Sequence, residues 1–237
     1  MIRVFNELES TNTYGLDEYQ HFNNLDVIYA LKQTKGRGRL GRSWVSEDSV
    51  AMSILLKDDL NFDISLLSFI AASSVFNIVK KHTKNVSIKW PNDIIVNDKK
   101  ICGILCQSRF ENDTLNALVV GIGLNTNNKE FFDELNDKAT SLYILNNTYY
   151  NNIDFVKEIY EEFISLYSDF RNGINTYYDI IINNNYLLNK EVTFIYQNKE
   201  CVGKVIGIDK NCKLIISYDE KEIALTTGEV LLKNAYK

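Results

Sequence analysis

Proline is almost missing from this sequence: Pro91 is the only one in 237 residues. Histidine is nearly as scarce, with only His21 and His82, and the four cysteines (Cys102, Cys106, Cys201 and Cys212) include no CxxC pair. That inventory excludes a zinc or iron cluster. The cysteines read as reduced, mostly buried small hydrophobes of a cytoplasmic protein. Long apolar runs are lacking too. The longest, residues 64–79, is broken by serines and Asn77 and falls short of the ~20 residues a membrane helix needs. The first nine residues carry charges where a signal peptide needs an apolar core. Cations are in deficit, 26 Lys and Arg against 31 Asp and Glu, so the net charge of -5 lacks the basic footprint of a nucleic-acid binder. Two phosphate-binding signatures are absent as well. There is no GxxxxGK[ST], and in the Gly121-Ile122-Gly123 run the third glycine of a dinucleotide fingerprint would fall on Thr126.

What remains is an ordinary soluble composition, 45% hydrophobic and 24% charged, in a chain long enough for a full core. Against its acidic background one segment stands out: Gly36-Arg37-Gly38-Arg39-Leu40-Gly41-Arg42-Ser43-Trp44. Guanidinium groups suit bidentate recognition of phosphate or carboxylate. The glycines let the backbone approach a ligand closely. A disordered RNA-binding tail would repeat such a motif, which here occurs once, and a plain solvated loop gives no reason for Trp44 to close it. The segment reads as a loop ordered by an anionic ligand.

Hydrophobic periodicity places strands at residues 27–31 and 50–56 on either side of this loop, and a buried helix at 64–82. Short strands at 86–89 and 94–96, a turn at 97–99, and long strands at 101–110 and 115–124 follow. Helices are expected at 154–170 and 174–182. Beyond the Asn-rich stretch 183–185 come short strands at 192–196, 200–208, 213–218, 222–226 and 229–232, a small barrel or sandwich. The reading is an α+β chain: a mixed-sheet domain over residues 1–185 and a β module over 186–237.

Four further motifs carry polar residues in special settings. In Lys89-Trp90-Pro91-Asn92-Asp93 the proline stiffens a turn that presents Lys89, Asn92 and Asp93, although a purely structural turn explains it equally. Lys100 opens an apolar strand and is followed by Gly103; a solvated edge lysine is the ordinary reading, but glycine inside a strand marks a close approach. Gly121 and Gly123 repeat that signal on the next strand. Ser10-Thr11-Asn12 precedes a helix and fits simple capping.

Taken in order and spacing, these motifs resemble those of the biotin–protein ligases. The resemblance runs through Ser10-Thr11-Asn12, Gln33, the Gly36–Trp44 loop, Lys89-Trp90-Pro91-Asn92-Asp93, Lys100-Ile101-Cys102-Gly103, Gly121-Ile122-Gly123-Leu124-Asn125 and Gly228-Glu229-Val230. It implies a catalytic domain like that of class II aminoacyl-tRNA synthetases, followed by an SH3-like barrel. It also implies a two-step reaction, in which biotin and ATP, with Mg²⁺, give biotinyl-5′-AMP and a carrier lysine then takes the biotinyl group.

By that resemblance Lys100 bridges the biotin carboxylate and the α-phosphate, with Arg37 and Arg39 beside it as catalytic charges. Ser10, Thr11, Asn12 and Gln33 hydrogen-bond the ureido ring, Arg37, Gly38 and Arg39 close over it, and Gly103 and Gly121 leave room for it. Arg42, Asn92 and Asn125 join Arg37, Arg39 and Lys100 at the phosphates, and Asp93 orients Mg²⁺ or the incoming lysine. The partner is a biotin carboxyl carrier domain of acetyl-CoA or pyruvate carboxylase. The short lead before Ser10 implies a form without a DNA-binding domain and no specific DNA partner, acting as monomer or homodimer away from membranes. A lipoate–protein ligase or octanoyl transferase of related fold, or a non-catalytic binding module, is the competing reading.

Overall fold

The computed structural model describes residues 1–44, 47–132, 135–226 and 231–232. Seven strands form one mixed sheet: β1 (Ile2–Leu8), β2 (Val27–Gln33), β3 (Val50–Leu56), β4 (Val86–Lys89), β5 (Asp93–Val96), β6 (Lys99–Glu111) and β7 (Thr114–Leu124), in the order β1-β2-β3-β7-β6-β5-β4. β1 and β2 are parallel, joined across the short helix α1 (Thr11–Asp17); the other pairings are antiparallel. Asn97 and Asp98 (φ 47° and 64°) and Asn112 and Asp113 (φ 48° and 63°) adopt the left-handed pairs that the tight hairpins β5–β6 and β6–β7 require.

Alternation along the central strands assigns the two faces of the sheet. Val50, Met52, Ile54 and Leu56 of β3 join the large core with Val120, Ile122 and Leu124 of β7. The helices α2 (Leu67–Val79), α4 (Asn152–Arg171) and α5 (Thr176–Asn183) cover that face. The opposite face has a smaller core, Phe22, Ile28, Leu55, Ala117 and Val119, under α1. Residues in phase with this second face, Ser53, Gly103, Gly121 and Gly123, form a floor that α1 leaves partly uncovered.

A second sheet of five strands follows: β8 (Glu191–Tyr196), β9 (Lys199–Ile208), β10 (Leu214–Tyr218), β11 (Lys221–Leu225) and β12 (Leu231–Leu232), in the order β11-β10-β9-β8-β12. Its core is continuous with that of the first sheet. Trp90, buried at 2% exposure, donates from Nε1 to the Cys212 carbonyl at 2.9 Å, and the Tyr178 hydroxyl donates to the Ile208 carbonyl at 3.0 Å. Gly228-Glu229-Val230 lies outside the described residues.

The α+β reading and its strands hold, with boundaries shifted by a residue or two; of the expected strand 229–232 only Leu231–Leu232 is seen, residues 229–230 lying outside the described residues. Residues 64–82 split into a 3-10 turn (Ile64–Leu66), helix α2, and turns after Val79. Strand β1 and the five-residue helix α3 (Leu142–Asn146) were not anticipated. Among the described residues no helix is long and apolar enough to cross a membrane. All four cysteines are free; three are buried, and burial pushes the thiols of Cys106 and Cys212 up to about 12.

Candidate active site

Register brings the glycines together. Gly103 pairs with Gly123 across β6–β7, and Gly121 lies between Ser53 of β3 and Leu105 of β6. Lys100 reaches this floor through a β-bulge. Ile94 pairs with Cys102 and Ile95 with Lys100, so Ile101 is the extra residue on β6. A bulge inverts the alternation beyond it. Ile101 and Cys102 therefore both enter the core, while the Lys100 side chain turns to the glycine side. A Cβ added at Gly103 would lie 2.9 Å from Lys100 Nζ. The lysine pairs with Asp93 Oδ1 at 2.7 Å and lies 5.8 Å from the Trp44 ring centre.

The Gly/Arg segment folds as a tight irregular hairpin. Trp44 donates its N–H to the Gly36 carbonyl at 2.9 Å and Gly38 to the Arg42 carbonyl at 2.7 Å, with Arg37 bridged to Ser43. A Cβ at Gly36 would collide with the Trp44 carbonyl, which accounts for glycine there. Arg39 Nη1 donates to Asn92 Oδ1 at 2.8 Å, tying the loop to the Trp90-Pro91 turn, whose peptide bond is cis. Asn92 in turn exchanges two hydrogen bonds with the backbone of Ile104, at 2.8 and 2.9 Å. Trp44 lies over Gly123, where a Cβ would come within 2.6 Å of its Cζ2 and Nε1, and its buried Nε1–H has no partner among the described residues.

At the other end of the floor is a buried polar cluster. Ser10 caps α1, accepting from the Thr13 N–H at 3.4 Å. The Thr11 N–H donates to Gln33 Oε1 at 2.8 Å, and the Thr11 hydroxyl lies 3.1 Å from the same oxygen. Asn12 Nδ2 donates to the Leu105 carbonyl and to Gln107 Oε1, both at 2.9 Å. Ser53 Oγ lies 2.7 Å from Thr11 Oγ1 and 2.6 Å from Asn12 Oδ1.

The structure thus gathers Ser10, Thr11, Asn12, Gln33, Gly36, Arg39, Trp44, Asn92, Asp93, Lys100, Gly103 and Gly121 around one floor. Several have closer business than a ligand. A Cβ at Gly121 would strike the Asn12 amide, so this glycine makes room for Asn12. Asn125 donates to the Thr140 carbonyl at 3.0 Å and pins the chain after β7. Arg37 and Arg42 are exposed. Ser53 and Gln107 were missed as site residues, and Gly123, although it carried the close-approach signal, was not assigned to the site. Ser53 had a signal, being the one hydroxyl in the apolar strand VAMSILL; Gln107 had none.

Asp93 was expected near Mg²⁺. Its ion pair with Lys100 makes it a poor fit for a metal ligand, and no group of three or more His, Cys, Asp or Glu arranged for a metal occurs among the described residues.

The sequence profile of the Biotin/lipoate A/B protein ligase family matches residues 4–125, and that of the Biotin protein ligase C terminal domain matches residues 187–233. The bifunctional ligase/repressor BirA of Bacillus subtilis (strain 168) is 40% identical over 122 residues, 49% of this chain and 38% of that protein. BirA of Escherichia coli (strain K12) is 27% identical over 243 residues, 100% of this chain and 75% of that protein. The biotin protein ligase from Aquifex aeolicus in complex with biotin and ATP superposes with a TM-score of 0.84 at 26% identity, covering 98% of each chain. That from Leishmania major in complex with biotinyl-5-AMP shares the fold, with a TM-score of 0.61 at 20% identity over 95% of this chain and 98% of that one.

Proposed function

The chain belongs to the biotin/lipoate A/B protein ligase family, and from that premise we propose that it activates biotin with ATP and transfers it to a lysine of a carrier domain. One observation carries the reading. Lys100, the Arg39–Asn92 clasp and the Thr11–Gln33 cluster converge on the same strip of glycines, cation at one end and neutral hydrogen-bonding groups at the other. A flat, neutral ring bearing N–H groups and a carboxylate tail matches that polarity end for end. The C-terminal profile and the Aquifex complex favour biotin over lipoate.

In the first step a biotin carboxylate oxygen attacks the α-phosphorus of ATP, the bond to the pyrophosphate oxygen breaks, and biotinyl-5′-AMP forms. Two anionic groups must meet, so the site has to supply positive charge already in place. Lys100 does this, held by Asp93 rather than free to swing; Arg37, Arg39 and Arg42 add charge from the loop. Asp93 serves as the counter-ion of Lys100, and no step is assigned to a protein-held metal. In the second step the carrier amine attacks the anhydride carbonyl, AMP leaves, and the nitrogen gives up its proton. Ser10, Thr11 and Gln33 face the ureido ring, while Asn12, with both amide hydrogens spent on Leu105 and Gln107, braces them. Trp44 must shift for the ring to lie on Gly103 and Gly123, and leaving its seat frees an indole N–H that is buried without a partner there.

The experiment is pyrophosphate release from ATP with biotin, lipoate or neither. Release that depends on biotin, followed by label on a carrier domain, is expected. Release with lipoate alone would move the protein to the lipoate branch, and none with either would leave a binding module.

A further inference from the structure

Proton accounting in the buried cluster singles out Ser53, a residue with 0% exposure that the reading above does not use. Asn12 Nδ2 has two hydrogens, and both go to oxygens: the Leu105 carbonyl and Gln107 Oε1. A backbone carbonyl only accepts, so the amide orientation is fixed and Oδ1 faces Ser53. Oδ1 cannot donate. The 2.6 Å contact is therefore made by the single proton of Ser53. With that proton spent, the 2.7 Å contact between Ser53 Oγ and Thr11 Oγ1 requires Thr11 to be the donor.

The Thr11 hydroxyl then has no proton left for Gln33 Oε1, 3.1 Å away on its other side, an oxygen identified as the acceptor by the Thr11 backbone N–H at 2.8 Å. The geometry points to Ser53 as a positioning residue. It draws the Thr11 proton inward and leaves Thr11 Oγ1 as an acceptor beside Gln33 Oε1, a pair matched to an N–H of a neutral cyclic urea. Without Ser53 the Thr11 proton turns to Gln33, and the hydroxyl presents its donor side where a ligand N–H has to enter. This rests on the biotin reading and adds the residue that sets the sense of its hydrogen bonding.

The test is calorimetric titration of biotin into wild type, Ser53→Ala, Thr11→Val and the double variant, with the KM for ATP and thermal unfolding recorded for each. Ser53→Ala is expected to weaken biotin about tenfold, one net hydrogen bond, without moving the KM for ATP. Because Ser53 acts through Thr11, adding Ser53→Ala to Thr11→Val costs no further affinity. Ser53→Thr, which retains a hydroxyl, keeps biotin affinity closer to wild type than Ser53→Ala does. If Ser53→Ala does not fold, Ser53→Cys, a weaker donor of similar size, is read in its place with the same expected direction. Biotin affinity within twofold of wild type in Ser53→Ala, or additive losses in the double variant, overturns this inference alone. Failure of the wild type to bind biotin overturns the functional reading and this inference with it.

Discussion

Gly121→Ala tests whether the floor is shaped for Asn12. A methyl group at this position would overlap Asn12 Oδ1 and lie 2.8 Å from its Cγ and Nδ2. Strand β7 is central in the sheet and cannot retreat, so the amide must leave. With it go the bonds to Leu105, Gln107 and Ser53. At roughly 1 kcal/mol net for each bond, the loss is about 3 kcal/mol. For a chain of this size that lowers the melting temperature by roughly 6–12 °C. Scanning calorimetry reads the shift directly. The decisive arm is Asn12→Ala combined with Gly121→Ala. Removing the amide removes the collision, and both single variants lose the same three bonds, so the pair should be more stable than the sum of the single effects predicts, by about 3 kcal/mol. The reasoning fails if Gly121→Ala melts within a degree or two of wild type, or if the two effects simply add.

Lys100→Ala should reduce biotin-dependent pyrophosphate release by about 10²–10³ while the melting temperature holds, since it removes one preorganised cation from a partly exposed ion pair; a variant keeping most of its activity would remove Lys100 from the chemistry. Arg39→Gly loses the clasp to Asn92 and a charge-assisted contact to the adenylate. It should still make the adenylate but release it about tenfold faster or more, seen as biotin on bystander proteins; wild-type bystander labelling with continued synthesis would refute that. His82 packs between Tyr150 and Phe155, and burial, outweighing nearby Glu158, holds its pKa below the ordinary 6.5. The folded state therefore binds fewer protons than the unfolded chain, so the contribution of this group is present above pH 6.5 and is lost as pH falls through the folded value. Urea unfolding from pH 8 to 5 should show a steeper acid loss in wild type than in His82→Phe; parallel curves would count against it.

Much of this architecture was legible because it is local. The strands of the sheet centre alternate or run apolar, and the tight turns carry Asn and Asp where left-handed backbone is needed. Strand β1 was not recognised: its half-exposed residues lack a clean period, and its partner β2 lies beyond a helix. Helix α3, at five residues, is too short to show one. In the site, the motifs gave the members but not their partners. That Gly121 serves Asn12, and Gly123 serves Trp44, depends on register between distant segments. The aim of Lys100 depends on a bulge that nothing in Lys100-Ile101-Cys102 announces.

The Asn12 amide also has a bearing on how the molecule is made. Its partners on β6 lie 93 and 95 residues further along the chain. At roughly 5–20 residues per second, a ribosome delivers them about 5–20 s after Asn12 itself emerges. Through that interval α1 has only β2 and β3 to pack on, and the Asn12 amide lacks both of its acceptors on β6. The polar cluster therefore closes late, once β6 and β7 have zipped onto β3. A nascent chain lacks the completed floor until β6 and β7 are in place, so ligand capture becomes a readout of finished folding.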